Sequence, residues 1–303
     1  MTYSFLEPGR GKDNQAWRYV LTLVTIIWAA LLGGLIVILV AYAFEGSLDI
    51  ETYSPISVLL VSMLPFLAVL LTLWGCLRLF HKRGLLSLVR PTGAFSWQKI
   101  LLSGVLWFFL AGLSDLVLAI LNPANYRWSF DAKSFFLFLL PALILVPIQT
   151  STEELVFRGY LTQWAGRYSR RMWLPLLVPS IVFMSMHALN PEVEAYGFWL
   201  TMPMYLGIGL LMAWVTLKTG GLEMALGLHL ANNLYATLIV TFPNTALPSP
   251  AFFSIQTYEP VAALIQQVIV MAVYLGFIYL IKREWMREGE IPAATEVEVQ
   301  SAH

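Results

Sequence analysis

Glu153, Glu154 and Arg158 stand inside a long apolar stretch, where ionisable side chains are rare and usually functional. Each such charge at the centre of a membrane-spanning helix costs on the order of 3 kcal/mol, so the three together cost roughly 9 kcal/mol before any pairing. Spacing supplies one offset. Glu154 and Arg158 are a helical turn apart and share a face, so they can pair. Glu153 points about 100° away and is left over. Two more polar marks follow downstream. His187 comes one turn after Phe183, and Asn233 comes one turn after His229. The chain has 4 histidines, and the other two, His81 and His303, fall in a loop and at the terminus.

A carboxylate, two imidazoles and a carboxamide suit hydrolysis. Burial can tune a Glu or His to take a proton from water near neutral pH. A second His and an Asn amide can donate to an oxyanion. The same Glu153, His187 and His229 could instead hold a divalent metal such as zinc, which would acidify its own water. Spacing alone does not choose between these. Each residue also has a plainer reading. Glu154 and Arg158 could be a structural buried pair, Glu153 a second helix-bonded carboxylate, His187 a core histidine on a carbonyl, and His229/Asn233 an interhelical hydrogen-bonding pair. Phe183 reads as packing that fixes the His187 ring, and Asp115 as structural. Two other functions compete with a hydrolase: a membrane transporter or proton relay built on the same buried Glu/His/Arg cluster, and a non-catalytic immunity or scaffold protein.

The elements that must position these residues follow from composition. The 303 residues are 58% hydrophobic and only 12% charged, against roughly 25% charged in an ordinary soluble domain. The 18 Lys+Arg balance 18 Asp+Glu, so no basic excess points to nucleic acid. Residues 19–44, 52–77, 134–152, 195–217 and 260–281 contain no Asp, Glu, Lys, Arg or His. Each meets or nearly meets the ~20 residues needed to cross a bilayer. Three more stretches, about 100–121, 172–189 and 222–241, are interrupted by Asp115, by His187, and by Glu223 and His229. The stretch beginning at 134 continues through the two glutamates to about Arg167. The expectation is an all-α polytopic membrane protein with eight transmembrane helices. Strands are not a competing reading, because alternating segments of barrel length are absent.

Loop charge sets the orientation. With the N-terminus inside, every Lys and Arg outside the helices falls on the cytoplasmic side except Arg127 and Lys133. Lys12, Arg167, Arg170 and Arg171 are among the inner group, and both termini are cytoplasmic. The organisation reads as a polar tail over 1–16, three helices over 17–133, the motif-bearing helices over 134–241, an outer loop and last helix over 242–282, and a polar tail over 283–303. Counting rise along the helices brings Glu153 and His187 level with His229 only if helices four and five project about 10 Å past the hydrocarbon on the inner side. That predicts a cavity opening toward the cytoplasm.

Taken in order, Glu153-Glu154-Leu155-Val156-Phe157-Arg158 (EExxxR), Phe183 to His187 (FxxxH) and His229 to Asn233 (HxxxN) resemble the CPBP family of intramembrane metalloproteases. That family includes type II CAAX prenyl endopeptidases and bacterial bacteriocin-processing or immunity proteins. The resemblance covers about residues 135–240 and implies an endopeptidase acting at the membrane. Carried onto this sequence, it makes Glu153 and His187 the activators of the attacking water. It makes His229 and Asn233 the stabilisers of the oxyanion, with Glu154 and Arg158 holding the site together. It implies a membrane-associated peptide or protein substrate, prenylated or leader-type, and a multi-pass location in a bacterial cytoplasmic membrane. The His-Glu-x-x-His and Gly-x-Ser-x-Gly patterns of other hydrolases are absent.

Overall fold

A backbone amide in lipid finds no partner but its own chain, so apolar stretches of this length must coil into helices. The computed structural model describes residues 2–11, 14–169 and 171–291. Lys12, Arg170 and the tail from residue 292 lie outside the described residues. Every expected stretch is helical: α1 Ala16–Glu45, α2 Pro55–Leu79, α3 Trp97–Leu121, α4 Ala132–Ala165, α5 Trp173–Met186, α6 Phe198–Thr219, α7 Glu223–Leu238 and α8 Pro260–Ile281. Local chemistry sets their starts. The side chains of Ser54, Ser96 and Asp131 accept the first free amides of α2, α3 and α4, and Pro55 and Pro260 sit where a missing N–H does no harm.

Among the described residues 6 helices are long and apolar enough to cross a bilayer, not all eight. The exceptions are α5, with 14 residues, and α7, with 16. At 1.5 Å per residue these reach only about 21 and 24 Å, short of a ~30 Å hydrocarbon core. They are the helices that carry His187 and His229. The long helices face outward with bare hydrocarbon: Leu31, Leu35, Ile36 and Leu39 on α1 and Ile265, Val268 and Ile269 on α8 are more than half exposed. Such a surface has lipid as its solvent, and the protein is an integral multi-pass membrane protein.

The polar helix α7 packs among α3, α4 and α6 at the centre of the bundle. Its approach to α3 is close enough for backbone contact. A Cβ built on Gly227 would lie 2.1 Å from the Ile100 carbonyl oxygen, and one on Gly104 would lie 2.9 Å from the Gly227 oxygen. Small residues at such crossings are how membrane helices approach each other. Ser103 strengthens the contact by donating to the Met224 carbonyl at 2.7 Å. Gly227→Ala is expected to wedge α7 off α3, lowering stability by about 1–3 kcal/mol and displacing His229, two residues on. Gly276→Ala on α8, where nothing lies within 4 Å of the new methyl, is the control. Thermal unfolding in detergent compares the two, and equal melting temperatures would refute the wedge.

Both ends of the bundle hold more structure than expected. Residues 2–11 are not a loose tail. Thr2–Tyr3 pair antiparallel with Glu290–Ile291, and the Phe5 and Leu6 side chains are buried. Leu88, on a one-turn helix Leu86–Val89, inserts into the same cluster with Leu155, Tyr160 and Leu222. His81 is buried here too. Burial, with Arg83 and Arg18 nearby, pushes its pKa down to about 4. The neutral ring bridges Asn14 Oδ1 at 2.6 Å and the Tyr160 hydroxyl at 2.8 Å. At the opposite end, where no strand was expected, Phe253–Ile255 lies between Tyr126–Trp128 and Val240–Thr241 in a small sheet.

Candidate active site

The EExxxR stretch changes helical geometry as it passes the centre of the protein. Residues Leu155–Leu161 form a π-helical segment directly after Glu154, a distortion common at functional sites. Arg158 stays one turn below Glu154, and its Nη1 donates to Glu154 Oε1 at 2.8 Å with both side chains fully buried. The Arg158 guanidinium lies 4.1 Å from the centre of the Phe183 ring. Thus Phe183 does more than fix His187, since it also roofs the buried cation.

His229 meets both glutamates. Its Nδ1 is 2.7 Å from Glu154 Oε1, and its Nε2 is 3.6 Å from Glu153 Oε2. Facing a carboxylate, Nδ1 carries a proton. The ring can then donate through Nε2 only when both nitrogens are protonated. In that state Glu153, Glu154, Arg158 and His229 sum to zero charge. His187 caps α5 with φ −95° and ψ 1°, the bridge region where many active-site residues sit. Its Nδ1 donates to the Phe183 carbonyl at 2.8 Å, which leaves Nε2 with a lone pair.

Asn233 is held from two sides. Its Nδ2 donates to Gln149 Oε1 at 3.1 Å, and its Oδ1 accepts from Asn232 Nδ2 at 3.2 Å. Trp107 Nε1 in turn donates to Asn232 Oδ1 at 3.1 Å, tying the carboxamide to α3. One Nδ2 proton of Asn233 remains unspent. The four residues expected to do chemistry, Glu153, His187, His229 and Asn233, all border one cavity of about 80 Å³, with Gln149 and Asn232 beside them. That volume takes a small number of waters. Glu153 Oε2 is buried and accepts no hydrogen bond. Among the described residues no group of three or more His, Cys, Asp or Glu is arranged to hold a metal ion. Glu153, His187 and His229 do not form such a group.

Several residues at the site carried no signal of their own. Gln149 is one turn before Glu153 and its position could have suggested a shared face. Asn232 adjoins a motif residue. Tyr205, whose ring stacks on His187 at 4.2 Å, sits in a charge-free stretch with nothing to mark it. Asn190 and Glu192 turn inward to a larger cavity of about 900 Å³ that also reaches Glu153 and His187. Its wall includes Ile50, Leu189, Phe242, Leu247 and Tyr258, all at the end of the bundle with the small sheet. The expected opening toward the basic end is therefore corrected. That end is plugged by Phe5, Leu6, Leu88, Leu155 and Leu222, which pack beneath the Glu154–Arg158 pair.

Comparison with known proteins agrees with the motifs. Residues 132–235 match the family described as type II CAAX prenyl endopeptidase Rce1-like. Over 283 residues the chain is 30% identical to the uncharacterized protein YyaK of Bacillus subtilis strain 168, a match covering 90% of this chain and 94% of that protein. No solved structure matches. The family match spans all three motifs, and the likeness to YyaK runs through the helices on either side of them. On this kinship the chain belongs to the CPBP family, the family of the CAAX-type intramembrane proteases.

Proposed function

We propose that this protein is an endopeptidase that hydrolyses a peptide bond of a membrane-associated substrate below the bilayer surface. The observation that carries the reading is the buried Glu153 carboxylate oxygen, which accepts no hydrogen bond and lies beside a small cavity that His187, His229 and Asn233 also border. Glu153 takes a proton from water while His187 Nε2 accepts its second O–H and aims the oxygen. The water attacks the carbonyl carbon. Asn233 Nδ2 and the doubly protonated His229 donate to the resulting oxyanion. Glu153 then returns the proton to the leaving amine. Glu154 and Arg158 touch no substrate and hold His229 in place.

The loop charges support eight crossings with both termini in the cytoplasm of a bacterial cell. In that orientation the larger cavity faces the outer side. Transport fits less well, because among the described residues the apolar cluster of Phe5, Leu6, Leu88, Leu155 and Leu222 lies on the side of the basic end. An intact motif set held around a cavity is the reason to favour catalysis over a scaffold.

The test is a survey of new peptide termini in membrane fractions from cells carrying wild type or His187→Ala. Wild type is expected to yield fragments, cut in outer-facing or membrane-embedded segments, that His187→Ala lacks at equal protein level. Identical fragments in both strains would reject the endopeptidase.

A further inference from the structure

The connection between α5 and α6 brings Glu192 into the wall of the larger cavity. The residue is 7% exposed. Its Oε1 accepts from the Tyr205 hydroxyl and from Asn190 Nδ2, the latter at 3.2 Å. Its Oε2 is buried and accepts nothing. The Tyr205 ring stacks on His187, so Glu192 stands one tyrosine length from the imidazole assigned to the water. Tyr258, stacked on Phe242 at 4.4 Å, borders the same space and adds an aromatic face.

Charge on the cavity wall is one-sided. Asp115, Glu153 and Glu192 border it, and among the described residues no Lys or Arg does. Asp115 is occupied: its oxygens accept from Tyr126 at 2.9 Å, Tyr235 at 2.8 Å and Gln266 at 3.0 Å. Glu153 is assigned to the water. Glu192 Oε2 is left as a desolvated acceptor with no partner, and burying such an atom is costly unless something that binds supplies a donor. A carboxylate flanked by aromatic faces suits an ammonium or guanidinium group. A free chain-terminal carboxylate would find no Lys or Arg on that wall, among the described residues, to pair with.

Resting on the endopeptidase reading, we propose that Glu192 is a subsite for a Lys or Arg side chain next to the scissile bond. The substrate is then a basic segment cut internally, and its C-terminal carboxylate does not enter the cavity.

The probes are short fluorescent peptides, identical and apolar except for a central Lys or a central norleucine. Anisotropy measures their affinity for the full-length protein in detergent. The Lys peptide is expected to bind about tenfold tighter, the effect of one charge-assisted contact, and the difference should vanish in Glu192→Gln. Glu192→Asp, which keeps the charge, should retain part of the preference and stands in if the Gln variant fails to fold. Equal affinity in wild type, or a preference that survives Glu192→Gln, overturns the subsite. Cleavage of the same peptides separates the two claims. A Lys preference without any cleavage leaves the subsite standing and removes the endopeptidase, whereas cleavage with no charge preference does the reverse.

Discussion

Glu153→Gln is expected to lower kcat for peptide hydrolysis by about 10²–10⁴-fold, the usual contribution of a positioned general base. KM and the melting temperature should barely move. The reason is geometric. Gln has nearly the same shape, so the neighbour His229 Nε2, 3.6 Å from Glu153 Oε2, keeps its surroundings. What disappears is the capacity to take a proton from water. Glu154→Gln, one residue on, should behave differently, because Glu154 pairs with Arg158 and His229 and borders neither cavity. It should lose stability along with rate. The assay is steady-state hydrolysis of a peptide matching a cut site found in the membrane survey. A Glu153→Gln enzyme that kept most of its kcat would end the general-base role. Dialysis of wild type against a chelator is expected to leave the rate intact. A loss that added zinc restores would instead place the water on a metal held by Glu153 and His229.

The motif residues were readable because lipid makes polarity conspicuous. In a chain that is 58% hydrophobic, a glutamate pair, an arginine and two histidines inside apolar stretches can hardly be accidental. Periodicity then separated Glu153 from the Glu154–Arg158 pair, and the structure keeps that division. The positions of all eight helices followed from the same contrast. Their lengths did not. Apolar residues continue on either side of His187 and His229, and nothing in the pattern shows that α5 stops at Met186 with His187 as its cap.

The remaining features depend on partners distant in sequence. Tyr205 matters because its ring meets His187 and its hydroxyl meets Glu192, contacts from α6 to the end of α5 and the connection after it that composition does not encode. The polar N-terminal residues read as a tail because Phe5 and Leu6 are too few to form a pattern, yet they fill a hollow made by α2 and α4. The cavity direction came out reversed for the same reason. Helix-length arithmetic measures depth, but which end is plugged is decided by short segments such as Leu86–Val89 that carry no periodic signal.

Arg158→Met is expected to destabilise the protein by about 3–5 kcal/mol, the cost of leaving a buried partner charge uncompensated. Glu154 would keep His229 as its only donor, with its Oε2 already unpartnered. The methionine itself should fit, since Arg158 is fully buried with its guanidinium 4.1 Å from the centre of the Phe183 ring, where a thioether also packs well. That makes the double variant informative. Arg158→Met combined with Glu154→Gln removes both charges, and it should recover most of the lost stability because a buried ion pair is worth little against an apolar replacement of similar size. Activity should not return. His229 would lose the carboxylate that fixes its Nδ1 proton, and with it the reason for the ring to carry a second proton on Nε2 toward the oxyanion. Unfolding in detergent and hydrolysis, measured on both variants and on wild type, separate the two roles. Recovery of rate together with stability would reduce the pair to a structural element. Stability without rate would identify it as the support that keeps His229 ready to donate.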